Sequence, residues 1–189
     1  MRDHIQTERL TLRRPRLSDA HTMTKRINDP EILLMTATLP MPFFTLSGEF
    51  WLMRVAANWR RGHSYAYAIT GTDDSLMGIV DLFKNEHGDW EIGYWLGKEF
   101  WGKGYMQEAA KALLTESFHT LDIPYIDAGY FKDNPGSGRV LEKLGFVSKN
   151  ETSNLYSVAR GERFAGIELR LPRNTAHRWS ETTLDQAPI

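Results

Sequence analysis

The sequence predicts one domain of mixed α/β class. Its 189 residues are enough to bury a sizeable core, and 41% of them are hydrophobic and 25% charged, as in ordinary globular proteins. Strand-like and helix-like segments follow one another in the order βααβββαβαββ, which indicates a meander extended by a strand–helix–strand unit. No internal repeat or long linker divides the chain.

The first half of the chain is predicted to contain one strand, two helices and then three strands. Ser18 and Asp19 provide an N-cap and a first-turn acid for the first helix, and Gly62 ends the second. The bounds are strand 7–14, helix 18–28, helix 46–61 and strands 65–70, 76–83 and 89–96. Residues 31–44 are predicted to form an irregular loop whose large apolar side chains line a pocket, namely Met35, Met41, Phe43 and Phe44.

The second half adds two helices and three strands. The expected bounds are helix 105–120, strand 123–131, helix 134–146 and a hairpin of strands 153–159 and 166–171. The short helix has Asn134 as its cap, Pro135 at its first position and Gly145 at its end. Residues 173–189 are polar and predict a C-terminal tail, so the domain is expected to cover residues 1–172.

Composition and charge limit the classes of function. Lys and Arg number 23 against 24 Asp and Glu, so no basic excess exists to attract nucleic acid. The chain has no cysteine, and its six histidines show no metal-ligand spacing, so we expect no metal. No apolar run approaches the roughly 20 residues of a membrane span, and the N-terminus lacks an apolar signal core. We therefore expect a cytoplasmic protein that binds neither membrane nor nucleic acid.

The stretch WGKGY at residues 101–105 lies between a predicted strand and a predicted helix. It does not form a P-loop, because Gly104 stands where Ser or Thr would bind magnesium. It does not form a dinucleotide fingerprint either, since Gln107 occupies the third small-residue position. A third interpretation needs only backbone N–H groups at a helix N-terminus, which bind a diphosphate that the two glycines allow to approach.

Two motifs together resemble one family. WEIGYWLGKEFWGKGYMQEA is similar to the acetyl-CoA loop of the GNAT acetyltransferases of the RimJ/RimL-like branch, and DNPGSGRVLEKLGF resembles the second motif of that branch. The opening TERLTLRRPRLSDA is also similar to the start of the family, so the resemblance covers roughly residues 5–172. It implies a mostly antiparallel seven-stranded sheet that splays at its centre, with about four helices.

The resemblance also implies a cofactor site. The main chain of the strand before the loop would pair with the pantetheine arm of acetyl-CoA, and an amide near Leu96 would polarise the thioester carbonyl. Main-chain amides of the loop would hold the diphosphate, Lys103 would add a charge or remain solvated, and Asn134 would bind the arm. The implied cofactor residues are Tyr94, Trp95, Leu96, Trp101, Gly102, Lys103, Gly104, Tyr105, Met106 and Asn134.

The implied reaction is direct attack of a primary amine on acetyl-CoA, which requires an acid and a base. Ser137 is the first candidate for the acid, with a water or Tyr130 as alternatives, because Leu141 stands where many members have tyrosine. Glu91 is the first candidate for the base or for a proton relay, with Asp81 and His63 behind it.

One departure and several open points accompany the resemblance. Glu99 replaces the usual Gln or Arg at the first loop position, and an acid there should weaken diphosphate binding unless it points to solvent. A non-catalytic acyl-CoA-binding module of the same fold is the alternative function. Residues 28–50 and 150–166, which carry Glu31, Glu49 and Glu151, are expected to select the acceptor amine, with Glu86 as a further acid. A homodimer is the default assembly.

Overall fold

A computed structural model describes residues 1–175 and 179 of the chain. Its centre is an eight-stranded sheet with the strand order β1-β2-β3-β4-β5-β6-β8-β7. Neighbouring strands are antiparallel except for the parallel pair β5–β6. The strands are β1 (His4–Gln6), β2 (Thr11–Arg13), β3 (Ser64–Thr70), β4 (Leu76–Lys84), β5 (Trp90–Leu96), β6 (Tyr125–Phe131), β7 (Val147–Ser157) and β8 (Glu162–Pro172).

Helices cover both faces of the sheet. They are α1 (Ala20–Ile27), α2 (Pro30–Leu33), α3 (Thr45–Arg61), α4 (Tyr105–Thr120) and α5 (Pro135–Lys143), with short 3₁₀ turns at Leu17–Asp19 and Lys98–Phe100. One core joins α4 and α5 to side chains such as Val80, Leu82 and Ile92. The other joins α1, α2 and α3 to the opposite face, where Ile79 and Trp95 point. The mixed α/β class predicted from the sequence is confirmed.

The sheet has eight strands rather than seven because β1 precedes the predicted strand 7–14, of which only Thr11–Arg13 (β2) forms a strand. Thr7 and Leu10 form a tight turn, in which each backbone N–H is satisfied by the other residue: Thr7 N donates to Leu10 O, and Leu10 N donates to Thr7 Oγ1, both at 2.9 Å. The turn pairs residues 4–6 with residues 11–13 in antiparallel register. Leu10 and Leu12 are buried, as expected from their alternation.

The segment predicted as an irregular loop contains α2. Asp29 caps this short helix by accepting a hydrogen bond from Glu31 N at 2.9 Å, and Pro30 occupies its first turn. Pro30 therefore begins a helix that the sequence did not predict. Asp19 is the expected first-turn acid, because it accepts a hydrogen bond from Arg16 N at 2.7 Å, and its carboxylate also forms a buried ion pair with Arg13 at 2.8 Å.

The expected helix ends are confirmed where glycine adopts a left-handed conformation. Gly62 has φ +68 after α3 and Gly145 has φ +85 after α5, and the side chain of Asn134 accepts a hydrogen bond from Ser137 N at 3.1 Å.

The last hairpin is longer than predicted, because β7 begins at Val147 and continues through a register shift between Ser148 and Thr152. The predicted tail lies largely outside the described residues.

The feature that forms the site is the separation of β5 from β6. Strands β4 and β5 are paired along their length, from Gly78 opposite Leu96 to Lys84 opposite Trp90. In the described chain, β5 and β6 share a single register pair, Glu91 with Asp127, near the start of both strands. The two strands therefore diverge toward their C-terminal ends, and the predicted splay is present.

Candidate active site

A cavity of about 400 Å³ opens where β5 and β6 diverge. The segment around α2 forms one lip and contributes Ile32, Met35 and Thr36. Most of the residues that the sequence implicated line this cavity: Tyr94, Trp95, Leu96, Trp101, Gly102, Gly104, Tyr105, Met106, Asn134 and Ser137. Lys103 and Glu91 are not among its lining residues.

The loop before α4 presents a row of unused donors. Within residues 1–175, the backbone N–H groups from Gly102 to Gln107 donate to no protein acceptor. Gly102 and Gly104 have φ +74 and +76, a left-handed conformation that bends the chain back before the helix begins. The partial positive charge of the α4 N-terminus lies at the same place. An anion fits this loop on geometry and on charge.

The amide of Trp101 and the side chain of Lys103 both donate to protein carbonyl groups, unlike the free amides that follow Trp101 in the loop. The backbone N–H of Trp101 donates to Lys98 O at 3.1 Å, so this amide is already satisfied. The Trp101 indole N–H donates to Leu96 O at 2.7 Å and thereby fixes the loop on the end of β5. The ammonium of Lys103 donates to Glu99 O at 2.9 Å, on the outside of the loop.

The main chain of β5 has two sides. Gly97 N donates to Met77 O on β4 at 2.9 Å, and antiparallel pairs alternate between bonded and non-bonded positions. The polar groups of Trp95 therefore face β4, whereas those of Tyr94 and Leu96 face the splay. An extended ligand in the splay would meet the main chain of Tyr94 and the N–H of Leu96, because Leu96 O already accepts the Trp101 indole N–H.

Trp95 lies on the sheet face of α1, α2 and α3. Its side chain is buried, and its indole N–H has no acceptor among the described residues. Because an unpaired buried donor is uncommon in folded proteins, this N–H is a distinctive feature of the cavity wall.

Two hydroxyl groups meet on the other wall of the cavity. Tyr94 Oη and Ser137 Oγ lie 2.9 Å apart, and Tyr94 Oη donates to Ser137 O at 3.2 Å. Burial raises the pKa of Tyr94 to about 12, against the effect of the Ser137 hydrogen bond. The family resemblance implied only a main-chain role for Tyr94, so its hydroxyl was not predicted. Strand alternation, which directs Tyr94 toward the α4 and α5 face, was the available signal.

Tyr130, the alternative candidate for the acid, and Leu141, which stands where many members have tyrosine, lie away from the cavity. Leu141 is buried in the core, and Tyr130 packs its hydroxyl against Gly138, where an added Cβ would lie 2.8 Å from that oxygen. Neither residue lines the cavity. The pocket expected from residues 31–44 is formed in part: Met35 lines the cavity, Phe43 is in the core, and Met41 and Phe44 are exposed.

The candidate bases lie on the sheet face that Trp95 shares. Burial raises the pKa of Asp81 to about 6, although Ser64 Oγ donates to its carboxylate at 2.8 Å. Burial and the charge of Glu168 raise the pKa of Glu91. Asp81 lies opposite Gly93 in the β4–β5 register. Glu91 lies at the register pair that joins β5 to β6, whereas the Asp81 carboxylate is held by Ser64 of β3, and neither acid lines the cavity.

Glu99 turns away from the loop. Arg26 of α1 donates from Nε to Glu99 Oε1 at 2.9 Å, and its guanidinium lies 4.8 Å from the Phe100 ring centroid. This pair borders a second cavity of about 630 Å³ beside α1, where Lys98 pairs with Glu31. The acid that departs from the family motif is thus partnered rather than directed at the diphosphate position.

Metal ligands and membrane spans are absent from the part of the chain that the structure describes. No group of three histidine or acidic side chains there is arranged to hold a metal ion, and no helix there is long and apolar enough to cross a membrane.

The comparisons with known proteins agree with this geometry. Residues 9–147 match the family model described as "Acetyltransferase (GNAT) domain". The chain is 31% identical to "Uncharacterized N-acetyltransferase p20" of Bacillus licheniformis, over 83% of this chain and 89% of that protein. It is 42% identical to "Probable N-acetyltransferase YjcK" of Bacillus subtilis, over 46% of this chain and half of the length of that relative.

A solved structure shows the same fold. The ribosomal-protein-S5-alanine acetyltransferase of Vibrio fischeri superposes with a TM-score of 0.77 at 20% identity, covering 90% of this chain and 97% of that chain.

Proposed function

The chain belongs to the GNAT acetyltransferase family, and from this premise we propose that it moves the acetyl group of acetyl-CoA to the terminal amine of a peptide. One observation carries the proposal. The unused N–H groups from Gly102 to Gln107 stand at the open end of the β5–β6 splay, and the same cavity contains the hydroxyl pair of Tyr94 and Ser137. Binding groups for a diphosphate and donors for a leaving group therefore share one cleft.

Acetyl-CoA fits the residues that are present. A Cβ built on Gly102 would meet no protein atom within 4 Å, so the loop faces open space in which a diphosphate can approach the backbone. Free N–H groups at a helix N-terminus bind such an anion without a metal. The main-chain groups of Tyr94 and the N–H of Leu96 would receive the pantetheine arm, as a neighbouring strand would, while Leu96 O remains bonded to the Trp101 indole N–H.

The reaction is a direct displacement. The neutral amine nitrogen forms a bond to the thioester carbon, the carbon–sulfur bond breaks, and the sulfur leaves as a thiolate. Leu96 N–H is placed to donate to the carbonyl oxygen as negative charge develops there. Ser137 and Tyr94 donate to the departing sulfur in this proposal, which is supported by their presence in the cavity lining and by the 2.9 Å between their hydroxyl oxygens.

The amine must lose a proton, since alkylamines are mostly protonated at neutral pH. Asp81 and Glu91 share the sheet face of Trp95, from which the acceptor would approach. Their raised pKa values suit a proton acceptor better than those of exposed carboxylates do. Because neither lines the cavity, we assign them to a relay through water, with Asp81 ahead of Glu91.

The acceptor is proposed to be a peptide. The lip around α2 presents Ile32 and Met35, which suit the first side chains of a polypeptide better than a polyamine with several charges. The β7–β8 turn supports this lip, because Arg160 Nε donates to Leu34 O at 2.6 Å and Val158 N donates to Ala37 O at 2.9 Å. The name of the Vibrio fischeri enzyme points to an alanine of a ribosomal protein as its acceptor.

Turnover tests this proposal. Release of CoA thiol from acetyl-CoA would be measured with peptides that begin with alanine or serine, with the same peptides blocked at the N-terminus, with spermidine and with an aminoglycoside. We expect turnover with the free N-termini alone, confirmed by the mass of the product. A higher kcat/KM for spermidine would overturn the acceptor class. Binding of CoA without turnover on any amine would favour the non-catalytic module.

We also propose that the enzyme works in the cytoplasm, where acetyl-CoA and newly made proteins are both present, and that it forms a homodimer. The mass in solution, measured by light scattering after size-exclusion chromatography, tests the assembly. A mass of 21.7 kDa at micromolar concentration would show a monomer.

A further inference from the structure

The N-terminal segment before β2 is anchored to the start of α4. The carboxylate of Glu108 accepts hydrogen bonds from Thr7 Oγ1 at 2.6 Å, from Arg9 N at 2.9 Å and from Arg9 Nε at 2.7 Å. Burial acts to raise the pKa of Glu108, but these hydrogen bonds and the charge of Arg9 hold it below its usual value. Glu108 is thus held by residues about 100 positions earlier in the chain.

Arg9 extends this contact to the loop. Its Nη1 donates to Lys103 O at 3.0 Å, and its guanidinium lies 4.7 Å from the centroid of the Tyr105 ring. A Cβ built on Gly104 would lie 3.5 Å from Arg9 Nη2. One guanidinium therefore contacts Lys103 and Gly104 of the loop as well as Tyr105 and Glu108 in the first turn of α4.

We infer that Arg9 and Glu108 are positioning residues for the donor substrate, which hold the loop in the shape that binds the diphosphate. A trans peptide unit is planar, so the carbonyl of Lys103 and the N–H of Gly104 point in opposite directions. Because Arg9 fixes that carbonyl on the outside of the loop, the Gly104 N–H is turned toward the cavity that Gly104 lines. This inference rests on the proposed binding of acetyl-CoA at the loop.

Arg9 acts on the loop by fixing its shape rather than by adding positive charge to the cavity. Arg9 does not line the cavity, and its positive charge is matched by Glu108 at 2.6 Å. Without the Arg9 contacts, Gly102 and Gly104 would allow the loop many conformations. Ordering the loop when CoA binds would then cost affinity. A loop that is already ordered avoids that cost.

Affinity for CoA tests the inference without knowledge of the acceptor. Trp95 and Trp101 line the cavity, so calorimetry can be checked against tryptophan fluorescence. We expect Arg9→Ala to raise the Kd for CoA about tenfold, the loss of one hydrogen bond to a charged group. Arg2→Ala is the matched control, because Arg2 pairs with Glu116 of the same helix at 2.6 Å, more than two turns beyond Glu108. It should leave the Kd unchanged within twofold.

Two further variants separate geometry from charge. Glu108→Gln removes a negative charge near the expected diphosphate, so electrostatics alone predicts tighter binding of CoA. Loss of the contact between Glu108 and Arg9, which holds the loop in shape, predicts weaker binding of CoA. Arg9→Lys keeps the charge but loses the forked contact with Glu108 and Lys103 O. Tighter binding by Glu108→Gln, or full recovery with Arg9→Lys, would overturn the inference.

A ligand without the diphosphate completes the test. S-acetylpantetheine should bind Arg9→Ala and the unchanged protein equally, because it does not reach the loop. If Arg9→Ala weakens both ligands by the same factor, the residue acts on overall stability and the inference fails. If the unchanged protein binds no CoA at all, the proposed function fails instead.

Discussion

Arg26 and Glu99 connect α1 to the loop before α4, with 2.9 Å between Arg26 Nε and Glu99 Oε1. The Arg26 side chain is largely covered, at 19% exposure, whereas that of Glu99 is 53% exposed. The pair explains how an acid can occupy the first position of a diphosphate loop, because the carboxylate is held by a cation on a neighbouring helix.

Loss of Arg26 should therefore release Glu99. We expect Arg26→Ala to raise the Kd for CoA about threefold, in keeping with a partly exposed ion pair. Glu99→Gln alone should change the Kd little, and the double variant should bind better than Arg26→Ala does. Calorimetry of the four proteins forms a double-mutant cycle. A double variant as weak as Arg26→Ala would show that Arg26 acts instead through Phe100 or through Ser75, whose Oγ accepts a hydrogen bond from Arg26 Nη1 at 3.2 Å.

The hydroxyl pair should act on turnover rather than on binding. We expect Ser137→Ala to lower kcat by about 100-fold and Tyr94→Phe by about tenfold, with the KM for acetyl-CoA nearly unchanged, as for donors used in the transition state. Since the hydroxyls are hydrogen-bonded to each other, the double variant should lose less than the product of the two effects. Full activity of Tyr94→Phe would remove Tyr94 from the mechanism.

Asp81 should make the stability of the folded protein depend on pH. Its folded pKa of about 6 lies above the value near 4 for an unfolded aspartate, so the folded state binds the proton more tightly. The stability that this provides is complete below about pH 4 and is lost as the pH rises through about 6. Asp81→Asn should therefore be more stable than the parent protein above pH 6, by up to about 3 kcal/mol, and no more stable at pH 4.

Denaturant unfolding at several pH values measures this difference, and Ser64 can still hydrogen-bond the asparagine. If Asp81 also relays the amine proton, Asp81→Asn loses activity while it gains stability, and the rise of kcat/KM through pH 6 disappears. A stable variant with full activity would leave Glu91 as the relay, and Glu91→Gln would then show the loss.

Gly102 offers a test of the loop itself. We expect Gly102→Ala to cost about 1 kcal/mol of stability, because φ +74 is unfavourable for alanine, and to raise the Kd for CoA more than tenfold as the methyl group enters the diphosphate space. Gly88→Ala is the matched control, with φ +85, open space around its Cβ and a position at the far end of β5. Equal CoA affinity in the two variants would contradict the loop assignment.

Much of the fold followed from local sequence. Alternation placed the central strands, the Asn134–Pro135 cap and the glycines at 62 and 145 bounded helices, and the WGKGY loop lay between its strand and helix. Two local signals were interpreted incompletely. Asp29–Pro30 starts a helix in a segment that was expected to be a loop, and Thr7 to Leu10 is a turn within what alternation suggested was one strand.

The sequence by itself determined the family, the order of the elements other than β1 and α2, and the position of the loop, because each depends on residues only a few positions apart. Only the tertiary structure decided that Tyr94 meets Ser137, that Arg26 holds Glu99, and that Arg9 reaches the loop from the N-terminus. These pairs are 43, 73 and 94 or more residues apart, and no local periodicity encodes such distances. The packing of the sheet and its two helical layers brings them together.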